Sequence, residues 1–197
     1  AASAVENGLD DMKFEDNGSV YVDSHEFKNY GGKKHGNIDI YQGFAVSSNV
    51  VFVTLADKLG YSKLSATAKN FMIGEKINYD VPLQTGQILK DNKKTNVAAV
   101  GMGQGDLLVT PMNMALVASA IANDGQMMAP YLVESADLSN GYNVYAHKSE
   151  VLSQATDKET AEKVKKMMEK CVESGTGTSA SVSGVKVAGK TGTAENT

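Results

Sequence analysis

Ser183-Gly-Val-Lys-Val-Ala-Gly-Lys-Thr-Gly-Thr-Ala-Glu-Asn-Thr197 is the stretch that decides how this chain is read, because a β-branched run empties there into Lys190-Thr191-Gly192-Thr193. On one short strand, Lys190 supplies a positive charge, and Thr191 and Thr193 supply donors for a carboxylate or a developing oxyanion. Gly192, with no Cβ, lets a ligand lie against the backbone. The same residues also satisfy the phosphate-loop pattern, since Gly184 and Gly189 precede Lys190 and Thr191, and this would mean a nucleotide binder. A phosphate loop must leave a strand and open a helix whose amides cradle the phosphate. Here the loop itself reads Val-Lys-Val, and Gly192-Thr-Ala-Glu-Asn-Thr197 starts no helix. Taken alone, the triplet could equally be a strand end without function.

Far upstream lies a second polar triplet, Ser47-Ser48-Asn49, which comes after Tyr41-Gln-Gly-Phe-Ala-Val46 and opens the apolar run Val50-Val-Phe-Val-Thr-Leu-Ala56. On local grounds it is a helix cap and its neighbours. A serine hydroxyl can pass a proton and an asparagine amide can both donate and accept, so the triplet also fits a relay that positions a substrate amide. With Lys190-Thr191-Gly192, with Gly103-Gln-Gly-Asp-Leu-Leu-Val-Thr-Pro-Met-Asn-Met-Ala115, and with Ala122-Asn-Asp-Gly125 and Pro130-Tyr-Leu-Val133, the chain resembles the transpeptidase domain of a class B-like penicillin-binding protein.

That resemblance implies an α+β fold. By that resemblance residues 1–182 are mostly helical lobe of the penicillin-binding and serine β-lactamase-like architecture, with a loop-rich hairpin near 14–36. Residues 183–197 form one strand of its antiparallel sheet. The resemblance also implies a peptidoglycan D,D-transpeptidase that cross-links stem peptides by serine acyl transfer and is acylated by β-lactams. Ser47 is then the proton-shuttling hydroxyl, Asn49 the amide that holds the catalytic lysine and the substrate, and Ser48 a spacer pointing away. Lys190, Thr191, Gly192 and Thr193 bind the terminal carboxylate, with the Thr193 N–H contributing to the oxyanion hole. No metal or organic cofactor is implied.

The family's nucleophile is a serine with a lysine one helical turn later. The single match to that spacing, Ser183 to Lys186, falls in the β-prone run, where alternation sets the two on opposite faces. The expectation is that the nucleophile lies just before Ala1, that the chain is cut at both ends, and that it is inactive alone. The whole protein is expected at the outer face of the membrane behind an N-terminal anchor, and the final strand to be disordered or paired with another molecule. Two rivals from other classes are a non-catalytic β-lactam-recognising or scaffold domain and the nucleotide binder, and a β-lactamase or β-lactam sensor shares the triplets. The Gly-Gln-Gly…Thr-Pro segment and the long separation of Asn49 from Lys190 favour a transpeptidase.

Bulk properties narrow the classes further. A chain of 197 residues with 42% hydrophobic side chains can bury one sizeable core. A net charge of −4 offers no basic field for nucleic acid. A lone Cys171 and three scattered histidines (His25, His35, His147) provide neither an internal disulfide nor a metal cluster. No stretch approaches the roughly 20 apolar residues of a membrane span, so the chain by itself is expected to be soluble.

Along the chain, residues 1–8 read as a helix stopped by Gly8, and Ser19–Val22 with His25–Lys28 as a hairpin. Ser47 or Ser48 caps a helix that ends at Gly60, and another runs from Lys63 to Met72. Residues 75–96 read as loop. Thr110 and Pro111 start a helix that Asn123-Asp-Gly125 stops, and Thr156-Asp-Lys-Glu159 forms a capping box for a helix up to Gly175. The methionines are expected to fill core, Cys171 to be buried, and Gly103 to Asp106 to make a turn without a catalytic role.

Overall fold

A computed structural model describes residues 1–193; the remainder of the expected final strand, 194–197, lies outside the described residues. The polar-to-apolar switch at Ser48 starts the longest helix, α3 (Asn49–Asn70), where the Ser48 hydroxyl accepts from the Val51 N–H. Val51, Val53, Leu55 and Ala56 are buried along it. Gly60, at φ 73° and ψ 176°, breaks the helical geometry inside this element. The two helices read from the sequence are therefore the two halves of one element across a glycine break.

Against α3 pack α1 (Ala2–Glu6) and α2 (Ile40–Ala45), while α6 (Lys158–Ser174) packs on α1, α2 and α5 (Pro111–Ala122). Thr110 caps α5 with Pro111 at its first position, as expected, and the Asn113 side chain accepts from the Thr110 N–H in return. The cap of α6 differs from expectation by one residue. Asp157, not Thr156, accepts from the Thr160 N–H, and the Thr156 hydroxyl is drawn off to donate to Glu6 at 2.6 Å. The segment read as loop through residue 96 already enters a helix, α4 (Lys94–Gly101). Its first turn has no side-chain cap, and burial of Val97, Ala98 and Val100 holds it. Packing made this helix where local signals did not. A Cβ on Gly101 would lie 2.2 Å from the Ala56 Cβ, so the glycine sets how closely α4 approaches α3.

Among the described residues the strands form four separate antiparallel pairs. These are β1 (Lys13–Asp16) with β4 (Gly36–Asp39), β2 (Ser19–Val22) with β3 (His25–Lys28), β5 (Gln126–Met128) with β8 (Val151–Gln154), and β6 (Ser135–Asp137) with β7 (Asn143–Ala146). The β2–β3 hairpin falls where the sequence put it, with Val22 opposite His25. The strand expected from residue 183 onward does not form within the described residues. Val182 and Val185 make an isolated bridge, and 186–193 join no ladder. A strand exists through its neighbour's N–H and C=O groups, and among the described residues no strand lies beside this segment.

Among the described residues three apolar clusters hold the elements together. One, beneath α2, unites Ile40, Phe44, Val51, Leu55, Met167 and Cys171. A second joins Phe71, Leu116, Ile121, Met127 and Val164, and a third pins the β2–β3 hairpin through Val22 and Phe27 to Val53 and Ala98. Met127 and Met167 are fully buried, as expected of core fillers, whereas Met114 stays exposed. Burying each such large side chain contributes about 1.5–3 kcal/mol.

Candidate active site

At the corner between α2 and α3 the chain turns through Val46, Ser47 and Ser48. The Ser47 N–H donates to the Phe44 carbonyl at 3.2 Å and the Ser48 N–H to the Gly43 carbonyl at 2.8 Å. Ser48 is buried, and its hydroxyl donates to Asp16 Oδ2 at 2.6 Å while accepting from Val51 N–H at 3.1 Å. The Ser48 hydroxyl thus points away from Lys190, as expected of the spacer, and it also anchors the corner.

Asp16 is itself fully buried at the end of β1. Its carboxylate takes hydrogen bonds from the Gly18 N–H at 3.0 Å, from Asn29 Nδ2 at 2.7 and 2.9 Å, and from Ser48. The Asn29 side-chain carbonyl in turn accepts from the Val50 N–H at 3.2 Å. A buried carboxylate is tolerable only with its lone pairs satisfied, and here that requirement ties β1, the β2–β3 hairpin and the start of α3 into one polar knot. Neither Asp16 nor Asn29 stood out in the sequence, because a lone Asp and Asn in a loop-rich stretch look like ordinary turn residues.

With Ser48 fixed, Ser47 takes a left-handed conformation at φ 58°. Its Oγ accepts from Lys190 Nζ at 2.6 Å, across 143 positions of sequence. The two triplets do fold onto one another. Lys190 Nζ also donates to the Thr191 carbonyl at 2.8 Å and lies 5.7 Å from the centre of the Phe44 ring. Burial lowers the Lys190 pKa below the ordinary lysine value of 10.5, partly offset by Cys171.

Two further polar groups complete the cluster. Thr176 Oγ1 sits 3.2 Å from Ser47 Oγ and 2.6 Å from Thr191 Oγ1. Gln104 Nε2 donates to the Thr193 carbonyl at 3.2 Å, so the glycine turn at Gly103–Asp106 reaches the Lys-Thr-Gly segment directly. Thr176 was hidden in a run of small residues, Gly175 to Ser183, that reads only as loop. At Gly192 an added Cβ would meet nothing within 4 Å, so that face is open. Asn49 Nδ2 donates to the Lys28 carbonyl at 2.7 Å, which anchors the hairpin, while the residue also lines the cleft.

A cleft of about 230 Å³ opens beside these groups, lined by Phe44, Ser47, Asn49, Phe52, Met102 and Lys190, with Ala1 on its wall. Ser183 and Lys186 are not part of it. Ser183 lies within the turn closed by the Val182–Val185 bridge and Lys186 just after it, with Lys186 Nζ 3.8 Å from Glu169. Among the described residues no group of three or more His, Cys, Asp or Glu side chains could hold a metal ion, and no helix is long and apolar enough to cross a membrane. The arrangement places one ammonium, a hydroxyl triad and an open backbone edge at the rim of an apolar-walled cleft. It can hold an anion and orient a hydroxyl proton.

Comparison with known proteins bears on this geometry. A peptidoglycan D,D-transpeptidase, PbpA, of Mycolicibacterium smegmatis is 34% identical over 180 residues, 86% of this chain and 35% of that protein. The stage V sporulation protein D of Bacillus subtilis is 30% identical over 201 residues, 98% of this chain and 31% of that one. The crystal structure of the D,D-transpeptidase domain of a peptidoglycan glycosyltransferase from Eggerthella lenta superposes with a TM-score of 0.92 at 31% identity, covering 100% of this chain and 52% of its own. An imipenem acyl-enzyme complex of penicillin-binding protein A from M. tuberculosis gives 0.92 at 25% identity, covering 100% and 46%. The chain therefore spans about a third of the length of these curated relatives. The family model for the penicillin binding protein transpeptidase domain matches residues 1–197, from end to end, and with the Ser47–Lys190 contact at its centre the chain belongs to that family.

Proposed function

We propose that this chain supplies the proton-relay and carboxylate-binding side of a serine D,D-transpeptidase site. The whole protein would cross-link peptidoglycan stem peptides at the outer face of the cell membrane. In this reading a serine of the whole protein, outside this chain, attacks the carbonyl of the penultimate D-alanine. The terminal D-alanine leaves with a proton, and an amine from a second stem peptide then displaces the serine to form the cross-link. Ser47 relays the proton to the leaving amine and Asn49 orients the peptide amide. Lys190, Thr191 and Thr193 bind the terminal carboxylate along the open face at Gly192, and the Thr193 N–H faces the developing oxyanion. β-Lactams, which carry a carboxylate beside a reactive amide, fit the same groups. No organic cofactor or metal enters these steps.

The observation that carries the proposal is the 2.6 Å bond between Lys190 Nζ and Ser47 Oγ on the wall of one cleft. Ala1 lies on that wall too. The test is covalent labelling of the whole protein with a fluorescent penicillin. Wild-type protein is expected to label on one serine, and Lys190→Ala and Ser47→Ala to slow labelling by about 10²-fold or more, the scale of losing an electrostatic or proton-transfer group. A whole protein that binds penicillin reversibly with no adduct would instead be a non-catalytic recognition domain.

A further inference from the structure

Resting on that transpeptidase reading, the geometry points to Thr176 as a positioning residue that sets the direction of the Ser47 hydroxyl proton. A lysine ammonium has three protons and no lone pair, so its contacts with Ser47 Oγ and the Thr191 carbonyl are both donations. Ser47 Oγ has then spent one lone pair on Lys190, and its own proton needs an acceptor. Among the described residues, that acceptor is Thr176 Oγ1 at 3.2 Å. The Thr176 proton goes on to Thr191 Oγ1 at 2.6 Å or to the Ala45 carbonyl at 3.3 Å. The chain of donation runs from Lys190 to Ser47 to Thr176, and it leaves the second lone pair of Ser47 uncommitted on the cleft side.

The backbone around Thr176 is shaped to hold it there. Its N–H donates to the Ala45 carbonyl at 2.9 Å, and the N–H groups of Gly175 and Gly177 both donate to the Cys171 carbonyl. A Cβ at Gly175 would lie 2.2 Å from the Ala45 oxygen, and one at Gly177 would lie 3.2 Å from the Cys171 oxygen. Glycine on both sides lets the corner press against the ends of α2 and α6, which brings a threonine hydroxyl to Ser47. Resting against Thr176, the Ser47 hydroxyl faces an incoming substrate as an acceptor. It becomes a donor to the leaving amine only by swinging its proton away from Thr176.

The test compares Thr176→Val, which keeps the shape and removes the hydroxyl, with Thr176→Ser, which keeps the hydroxyl, both in the whole protein with benzylpenicillin. Thr176→Val is expected to lower the acylation rate constant about fivefold, the worth of one neutral hydrogen bond, and Thr176→Ser to restore it. The dissociation constant of the complex that precedes acylation should not move, because Lys190 still holds the carboxylate. A valine variant that acylates at the wild-type rate, or a loss confined to that dissociation constant, overturns the assignment. A crystal structure of Thr176→Val supplies a readout free of activity. Ser47 Oγ is expected to leave its 2.6 Å contact with Lys190 or to change rotamer. A Ser47 unmoved in that variant overturns the assignment even if the whole protein acylates nothing, whereas absence of acylation in the wild type counts against the transpeptidase reading alone.

Discussion

Ser47 stands at φ 58°, a region that a non-glycine residue occupies only when its surroundings hold it. The knot of Asp16, Asn29 and Ser48 holds it on one side and Lys190 on the other. Lys190 carries the clearest pH dependence. Burial disfavours its ammonium, so as pH rises the proton leaves before it would leave a free lysine. The alkaline limb of β-lactam acylation by the whole protein should therefore set in below the ordinary value of 10.5, and Lys190→Arg, which keeps its charge, should push that limb upward. A wild-type limb at the free-lysine value would refute this. Ser47 and Lys190 were legible in sequence because each sits in a short triplet of unusual composition. Asp16, Asn29, Gln104 and Thr176 were not, because each acts through a contact that only the folded chain creates.

Among the elements, those with strong local chemistry were readable. The Thr110 and Pro111 start of α5 and the tight β2–β3 hairpin are written in adjacent residues. Helix α4 has no cap and eight residues, and it exists because α3 offers a wall for Val97 and Ala98. The start of α6 shows how two good caps compete. Asp157 takes the helix, while Thr156, freed from capping, bonds Glu6 and ties α6 to α1. Asp157→Ala should cost about 1 kcal/mol, a drop of about 2–4 °C in the thermal midpoint for a chain of this size. The Thr160 N–H lowers the Asp157 pKa, so the cap contributes fully above the ordinary aspartate value of 3.8 and is lost as pH falls through the lowered folded value. Wild type and variant should therefore converge in midpoint at acid pH, while Asp157→Asn, which caps without titrating, should stay above the alanine variant. A constant gap between wild type and alanine across pH would rule this out.

Across the whole molecule, the first apolar cluster joins α3 to α6, and the polar site rides on its rim. The α+β composition and the approach of residues 47 and 190 were legible in the sequence. The sheet was not, since a strand's existence depends on its partner and not on its own residues. The segment 186–193 is thus moored mainly by side chains, through Lys190 on Ser47 and Gln104 on the Thr193 carbonyl. Among the described residues, its one backbone donor with a backbone partner is Gly189, bonded to Met168 at 3.2 Å. Peptide hydrogens in this stretch should therefore swap with heavy water almost at once, Gly189 lagging, while those of Val53 and Leu55 in α3 stay protected for as long as the molecule remains folded. Slow labelling of 186–193 throughout would mean that the segment has found a partner along its edge, and filling the cleft with a carboxylate ligand should slow it by drawing Lys190, and the backbone behind it, into a single fixed pose.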